Sequence, residues 1–183
     1  SLLLAFGSLR LAQAKVLPQK LAAIEAMALL NLLAVDKTGT LTSDEVTLER
    51  VVAFDESEVA ELAALIAHET SGGNITGQAI LAEITPPKHT DIIEVMAFSS
   101  ARKMAGVRAK VDSAVRTLMM GAPEFVAKLA PVDTMLQRQL DEWADSGLRV
   151  LMLAEFDDET TKLKDLPDGS GRAIGAVILR NSL

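Results

Sequence analysis

The sequence predicts an α+β fold: a twisted, mostly antiparallel sheet with flanking helices. Three observations carry this. Strand-like runs at 91–99, 104–111 and 114–120 follow one another with no room for the crossover helices a parallel sheet needs. Asp112-Ser113, between the last two runs, is turn chemistry for a hairpin. Apolar stripes at Val59, Leu62 and Ile66, and at Leu136, Leu140 and Trp143, mark amphipathic helices that need a sheet to cover.

Each element can be justified in turn. Leu21, Ile24 and Ala28 recur at helical spacing after Pro18, which interrupts any continuous helix upstream. Residues 29–35 are an apolar run ending in an aspartate, the pattern of a buried strand. Residues 46–54 read as a strand, followed by a helix that Asp55 or Ser57 can cap, with Glu58 three residues after Asp55. Ser71-Gly72-Gly73-Asn74 is a turn, and 78–84 a second short helix ended by Pro86-Pro87. Residues 123–129 are helical. Asp133 caps a longer helix that stops before Gly147. Residues 150–156 are apolar on both faces and read as a central strand. A charged, glycine-containing loop over 157–171 leads to a last strand at 173–179.

Composition excludes several function classes. Of the 183 residues 49% are apolar, which rules out a disordered chain. A net charge of −7 and a pI near 4.9 argue against a nucleic-acid binder, which needs a basic face. Cysteine is absent, and His68 and His89 lack metal-ligand spacing. No apolar run approaches the ~20 residues of a membrane span. The first seven residues lack the basic start of a secretion signal, and would suit the end of a membrane helix.

The chemistry concentrates after residue 35. A carboxylate at the carboxyl end of a strand sits where open α/β sheets place their ligands. Asp36-Lys37-Thr38-Gly39-Thr40 supplies a nucleophile, a cation, hydroxyls and a glycine through which backbone amides approach an anion. The stretch from Asp36 to Thr42 resembles the phosphorylation signature of the P-type cation-transporting ATPases. Four further stretches fall in that family's order. Phe98-Ser99-Ser100-Ala101-Arg102-Lys103 puts an aromatic beside two cations; by itself it reads equally as core plus a solvated pair. In context it resembles the family's adenine-binding segment. Asn74-Ile75-Thr76-Gly77-Gln78-Ala79-Ile80 resembles the edge of its nucleotide pocket. Gly121-Ala122-Pro123-Glu124 resembles its helix-opening turn, and Gly147-Leu148-Arg149-Val150 the segment whose arginine faces the phosphates. Met120 stands where the family often has lysine, so it is pocket wall or core.

The resemblance implies a division of the chain: 1–28 as stalk and end of the fourth membrane helix, 29–43 as the first strand and motif of a phosphorylation domain. Residues 44–179 would be the nucleotide-binding domain, and 180–183 the start of the return. The nucleotide-binding domain would be inserted into a truncated haloacid-dehalogenase-like α/β domain. Asp36, Lys37 and Thr38 would be catalytic, with Asp36 and Thr38 on Mg²⁺. ATP would be held by Thr76, Gln78, Phe98, Ser100, Arg102, Lys103, Met120, Gly121 and Arg149. The intact parent would be a calcium- or magnesium-pump-like membrane protein, this segment facing the cytoplasm. Its partners would be ATP, the transported cation and the missing phosphorylation, actuator and membrane domains, and the fragment alone would be inactive. Two rivals remain, a haloacid-dehalogenase-like phosphatase and a non-catalytic nucleotide-binding module. Against the first, Thr38 stands where such phosphatases usually carry a second aspartate.

Overall fold

A computed structural model of the protein describes residues 2–35, 45–55 and 58–181. The chain divides into two compact units, Ser1–Leu41 and Thr42–Leu183. In the first, α1 (Leu2–Gln13) and α2 (Leu21–Ala28) pack on each other, with Pro18 in the connection between them. Among the described residues, no helix is long and apolar enough to cross a membrane.

Residues 29–35 do not form the expected strand. They are irregular and exposed, with Leu29 83%, Leu32 78% and Leu33 74% accessible. An extended run is stable only when neighbours complete its backbone hydrogen bonds, and no described strand pairs with this one. Apolar content alone therefore did not make a strand here.

The second unit is a six-stranded sheet whose pairings are all antiparallel. Its strands are β1 (Val46–Ala53), β2 (Thr90–Met96), β3 (Met104–Val111), β4 (Ala114–Gly121), β5 (Arg149–Phe156) and β6 (Gly171–Asn181). Across the sheet they run β1-β6-β5-β4-β3-β2. The predicted hairpin is present: Val111 faces Ala114 across Asp112-Ser113, and Asp112 takes a left-handed φ of 54°. Helices α3 (Val59–Thr70) and α4 (Ile75–Glu83) build a core on one face with Val107, Leu118, Leu153 and Val177. On the other face α5 (Pro123–Leu129), α6 (Thr134–Asp145) and a 3-10 turn at Leu163–Asp165 pack with Met119, Met152 and Ile178. β5 is central and buried on both faces, as its composition required.

The helix starts follow their local chemistry. Asp133 caps α6 by accepting from the Leu136 N–H at 2.8 Å, and Gly147 follows the helix with φ 79°. α4 begins three residues earlier than periodicity suggested, because the Asn74 side chain accepts from the Gly77 N–H at 2.8 Å. At α3 the expected capping by Asp55 is not made: Glu58 holds the cap position without a side-chain bond. The Asp55 carboxylate pairs instead with Arg172. Ser57 lies outside the described residues.

One buried cation ties the 157–165 loop to the sheet. Arg108 on β3 is 4% exposed. Its Nε donates to Thr117 Oγ1 at 3.0 Å and its Nη1 to Glu94 Oε2 at 2.9 Å. Its Nη2 donates to the carbonyls of Asp158 and Thr161. Glu94 uses its other oxygen to accept from the Leu163 N–H at 3.2 Å. The loop is also closed internally. The Asp158 carboxyl accepts from the Thr161 hydroxyl, then from the Thr161 and Thr160 amides, and these bonds hold it well below its ordinary pKa of 3.8.

Two outcomes follow. Arg108→Met takes the cation from Glu94 and a donor from each of the Asp158 and Thr161 carbonyls, and should lower unfolding stability by about 3 kcal/mol in urea titrations. A depressed carboxyl stabilises the fold above its unfolded pKa and loses that contribution as pH falls. The stability difference between wild type and Asp158→Ala should thus be constant above about pH 5 and shrink below about pH 4. A difference that grew with acid would contradict the assignment.

Candidate functional site

On the α3/α4 face, a cavity of about 550 Å³ opens at the end of the sheet where β3 begins, β4 ends and β5 begins. That volume suits a drug-sized ligand. The turn between α3 and α4 forms one wall. Its floor is apolar: Ala67, Ile80, Ala105, Met120 and Leu151. Two glycines let its walls close up on their neighbours. A Cβ on Gly77 would stand 2.2 Å from Ser71 Cβ, and one on Gly121 2.4 Å from the Lys103 carbonyl oxygen. The helices and strands can approach this closely only with glycine there.

Of the residues expected to hold a nucleotide, Thr76, Phe98, Lys103, Met120, Gly121 and Arg149 line this cavity. Gln78, Ser100 and Arg102 do not. Gln78 Nε2 donates back to the Gly73 carbonyl at 2.7 Å and fixes the α3–α4 turn. Arg102 Nη2 donates to the Ala97 carbonyl at 3.1 Å, and its N–H to Ser99 Oγ at 3.2 Å, so it closes its own loop. Ser100 is exposed on that loop. Asp36, Lys37 and Thr38 lie outside the described residues.

Phe98 is half-exposed, as a stacking platform must be and a core aromatic is not. Lys103 takes a left-handed φ of 55°, a conformation that costs a non-glycine residue of order 1–3 kcal/mol. Its backbone is clamped on both sides: its N–H donates to the Ser99 carbonyl at 2.8 Å, and its carbonyl accepts from the Ala122 N–H at 3.0 Å. Across the cavity, Arg149 Nη1 donates to Thr76 Oγ1 at 2.7 Å.

Electrostatics single the cavity out. The chain carries a net −7, yet its lining holds Lys103 and Arg149 and no carboxylate. Neither cation has an acidic partner among the described residues. An apolar recess with an exposed aromatic and two unneutralised cations can hold a flat, apolar-faced ring carrying anionic groups. Sequence reading missed part of the floor, since Ala67, Ala105 and Leu151 look like ordinary core. The one available signal was the run of small residues, Gly77, Ala105, Gly121 and Ala122, at element ends.

No protein-family model matches the chain. It is 32% identical over 158 residues, 84% of its length, to the calcium-transporting ATPase CtpE of Mycobacterium tuberculosis. It is 27% identical over 98% of its length to the CtpE of Mycolicibacterium smegmatis. The chain spans about a fifth of the length of these curated relatives (19% and 21%). Among solved structures it resembles a zinc-transporting PIB-type ATPase, with TM-score 0.60 and 22% identity over 98% of this chain and 26% of that one. A second structure of a zinc-transporting PIB-type ATPase, in another state, matches with TM-score 0.53 and 19% identity, over 81% of this chain and 21% of that one. Similarity across most of the chain and a shared fold agree: the chain is a segment of a P-type cation-transporting ATPase.

Proposed function

We propose that residues 44–179 are the nucleotide-binding domain of an ATP-driven cation pump, and that the cavity takes the adenine nucleotide. The observation that carries this reading is convergence. Thr76, Phe98, Lys103, Gly121 and Arg149 come from four separate sequence stretches, and all line one cationic, apolar-floored cavity. The purine would stack on Phe98 above Met120 and Ile80, and the phosphates would lie toward Lys103 and Arg149. In the intact protein an Asp36 carboxylate oxygen would attack the γ-phosphorus of ATP. The bond to the β,γ-bridging oxygen would break, leaving an aspartyl-phosphate and ADP. Residues 29–43 would then belong to a haloacid-dehalogenase-like phosphorylation domain, into which the nucleotide domain is inserted.

Mg²⁺ would neutralise charge on the transferred phosphoryl group. The cavity lining offers it no carboxylate, and among the described residues no three acidic or imidazole groups are placed to hold a cation. The residues that would hold it are Asp36, through its carboxylate, and Thr38, through its carbonyl, with the triphosphate supplying further oxygens. The calcium- or magnesium-pump-like branch has the CtpE similarity as its support. The parent would be a multi-pass membrane protein with this segment on the cytoplasmic side.

The first expected outcome concerns binding. Stacking contributes about 1–3 kcal/mol and each charged hydrogen bond about 1.5–3 kcal/mol, against an association cost of roughly 4–15 kcal/mol. Affinity should therefore be of order millimolar, nearly equal for ATP and ADP. NMR shifts on titration should cluster at Thr76, Phe98, Gly121 and Arg149, and Phe98→Ala should weaken binding about tenfold. Unchanged affinity in Phe98→Ala would remove the adenine assignment. The second concerns chemistry. Among the described residues no three acidic or imidazole groups are placed to hold a cation, so labelled Mg·ATP followed by acid quench should leave no label on Asp36. Hydroxylamine-sensitive label appearing at turnover rates would contradict this.

A further inference from the structure

Two cations that line one cavity repel each other, and an arginine without an acidic partner has little to hold it in place. In this chain Arg149 is held nonetheless. Its one described bond is to the hydroxyl of Thr76, 73 positions away in sequence, at 2.7 Å. Arg149 opens β5, and Thr76 lies in the first turn of α4, on the opposite wall. The bond thus spans the cavity.

The acceptor's chemistry matters. A carboxylate at this place would hold the guanidinium more strongly, but would cancel its charge and repel an incoming anion. A hydroxyl is a neutral acceptor. It fixes one of the five guanidinium N–H donors and leaves the full charge and the other donors for a ligand. The support behind Thr76 is correspondingly firm. Asn74 caps the helix at the Gly77 N–H, and Gln78 ties back to the Gly73 carbonyl. The Gly73 N–H donates to Ser71 Oγ at 3.4 Å. Gly77, having no Cβ, lets the corner close on Ser71. Four consecutive local constraints thus set the position of a single hydroxyl.

We propose that Thr76 is a positioning residue: it acts on the phosphate part of the ligand through Arg149, and makes no essential contact with the base. This rests on the reading that the cavity binds a nucleotide. Thr76→Val keeps the shape of the side chain and removes the acceptor, and Thr76→Ser keeps the acceptor. Adenosine, ATP and inorganic tripolyphosphate, titrated separately into the whole chain and followed by NMR, divide the site into its two halves.

Thr76→Val should weaken ATP and tripolyphosphate by roughly tenfold, the value of one charged hydrogen bond. Adenosine binding should be unchanged, and Thr76→Ser should restore the loss. In an Arg149→Gln background Thr76→Val should cost nothing further, since the residue it orients is already gone. The proposal is overturned if Thr76→Val weakens adenosine as much as ATP, or if its effect persists undiminished in Arg149→Gln. Tripolyphosphate binding without any adenosine or ATP binding would remove the nucleotide reading and leave the role of Thr76 standing. Failure of adenosine, ATP and tripolyphosphate alike to bind would remove both, and ATP binding no tighter than adenosine would overturn the role of Thr76. Matching amide spectra of the free variants confirm that each is folded.

Discussion

Burial of β6 on both faces is the constraint from which the second unit's architecture follows. Ile174, Ala176, Val177, Ile178 and Leu179 are fully buried, and successive side chains of a strand point to opposite faces. Neither face of the strand can meet water, so both must be roofed by helices. α3 and α4 supply one roof, and α5 with α6 the other. Helices that cover one face of a sheet must turn somewhere, and the α3–α4 turn lies over the end of β3, β4 and β5. Roof and sheet separate there, and the cavity is the gap between them.

Two arginines of the same domain show how differently one side chain is used. Arg108 spends four of its five donors on Thr117, Glu94 and two carbonyls, and its charge is already met by a carboxylate. Arg149 has one neutral partner. A buried cation must be fully satisfied because desolvation penalises it heavily. A half-buried one at a cavity wall can remain unneutralised, because water still reaches it. The degree of burial thus separates the cation that organises the loop from the one available to bind.

Much of the fold was legible because local chemistry and tertiary packing agree. The Asp112-Ser113 hairpin, the Asp133 cap and the doubly apolar β5 each required only neighbouring residues to be identified. The failures have the opposite character. Residues 29–35 have the composition of a buried strand, yet a strand also needs partners, which periodicity does not report. Asp55 had the right spacing for a cap, but Arg172, over a hundred positions later, takes its carboxylate. At the cavity, motif order brought out Thr76, Phe98, Lys103 and Arg149. It gave no means of separating them from Gln78 and Arg102, whose side chains turn back to carbonyls five residues away. Convergence on a cavity is a property of the sheet's registry, and no single stretch of sequence carries it.

The unneutralised lining also has a practical consequence for work in solution. Two cations set in a low-dielectric recess of an otherwise acidic molecule make a local positive field, which the surrounding negative charge confines to that spot. Small multivalent anions will find the same place. Phosphate or sulfate in a buffer would then act as a competitor, while a monovalent salt would act mainly as a screen over a Debye length of about 10 Å at 0.1 M. Two laboratories using the same protein in different buffers would thus measure different apparent affinities, with no change in the fold.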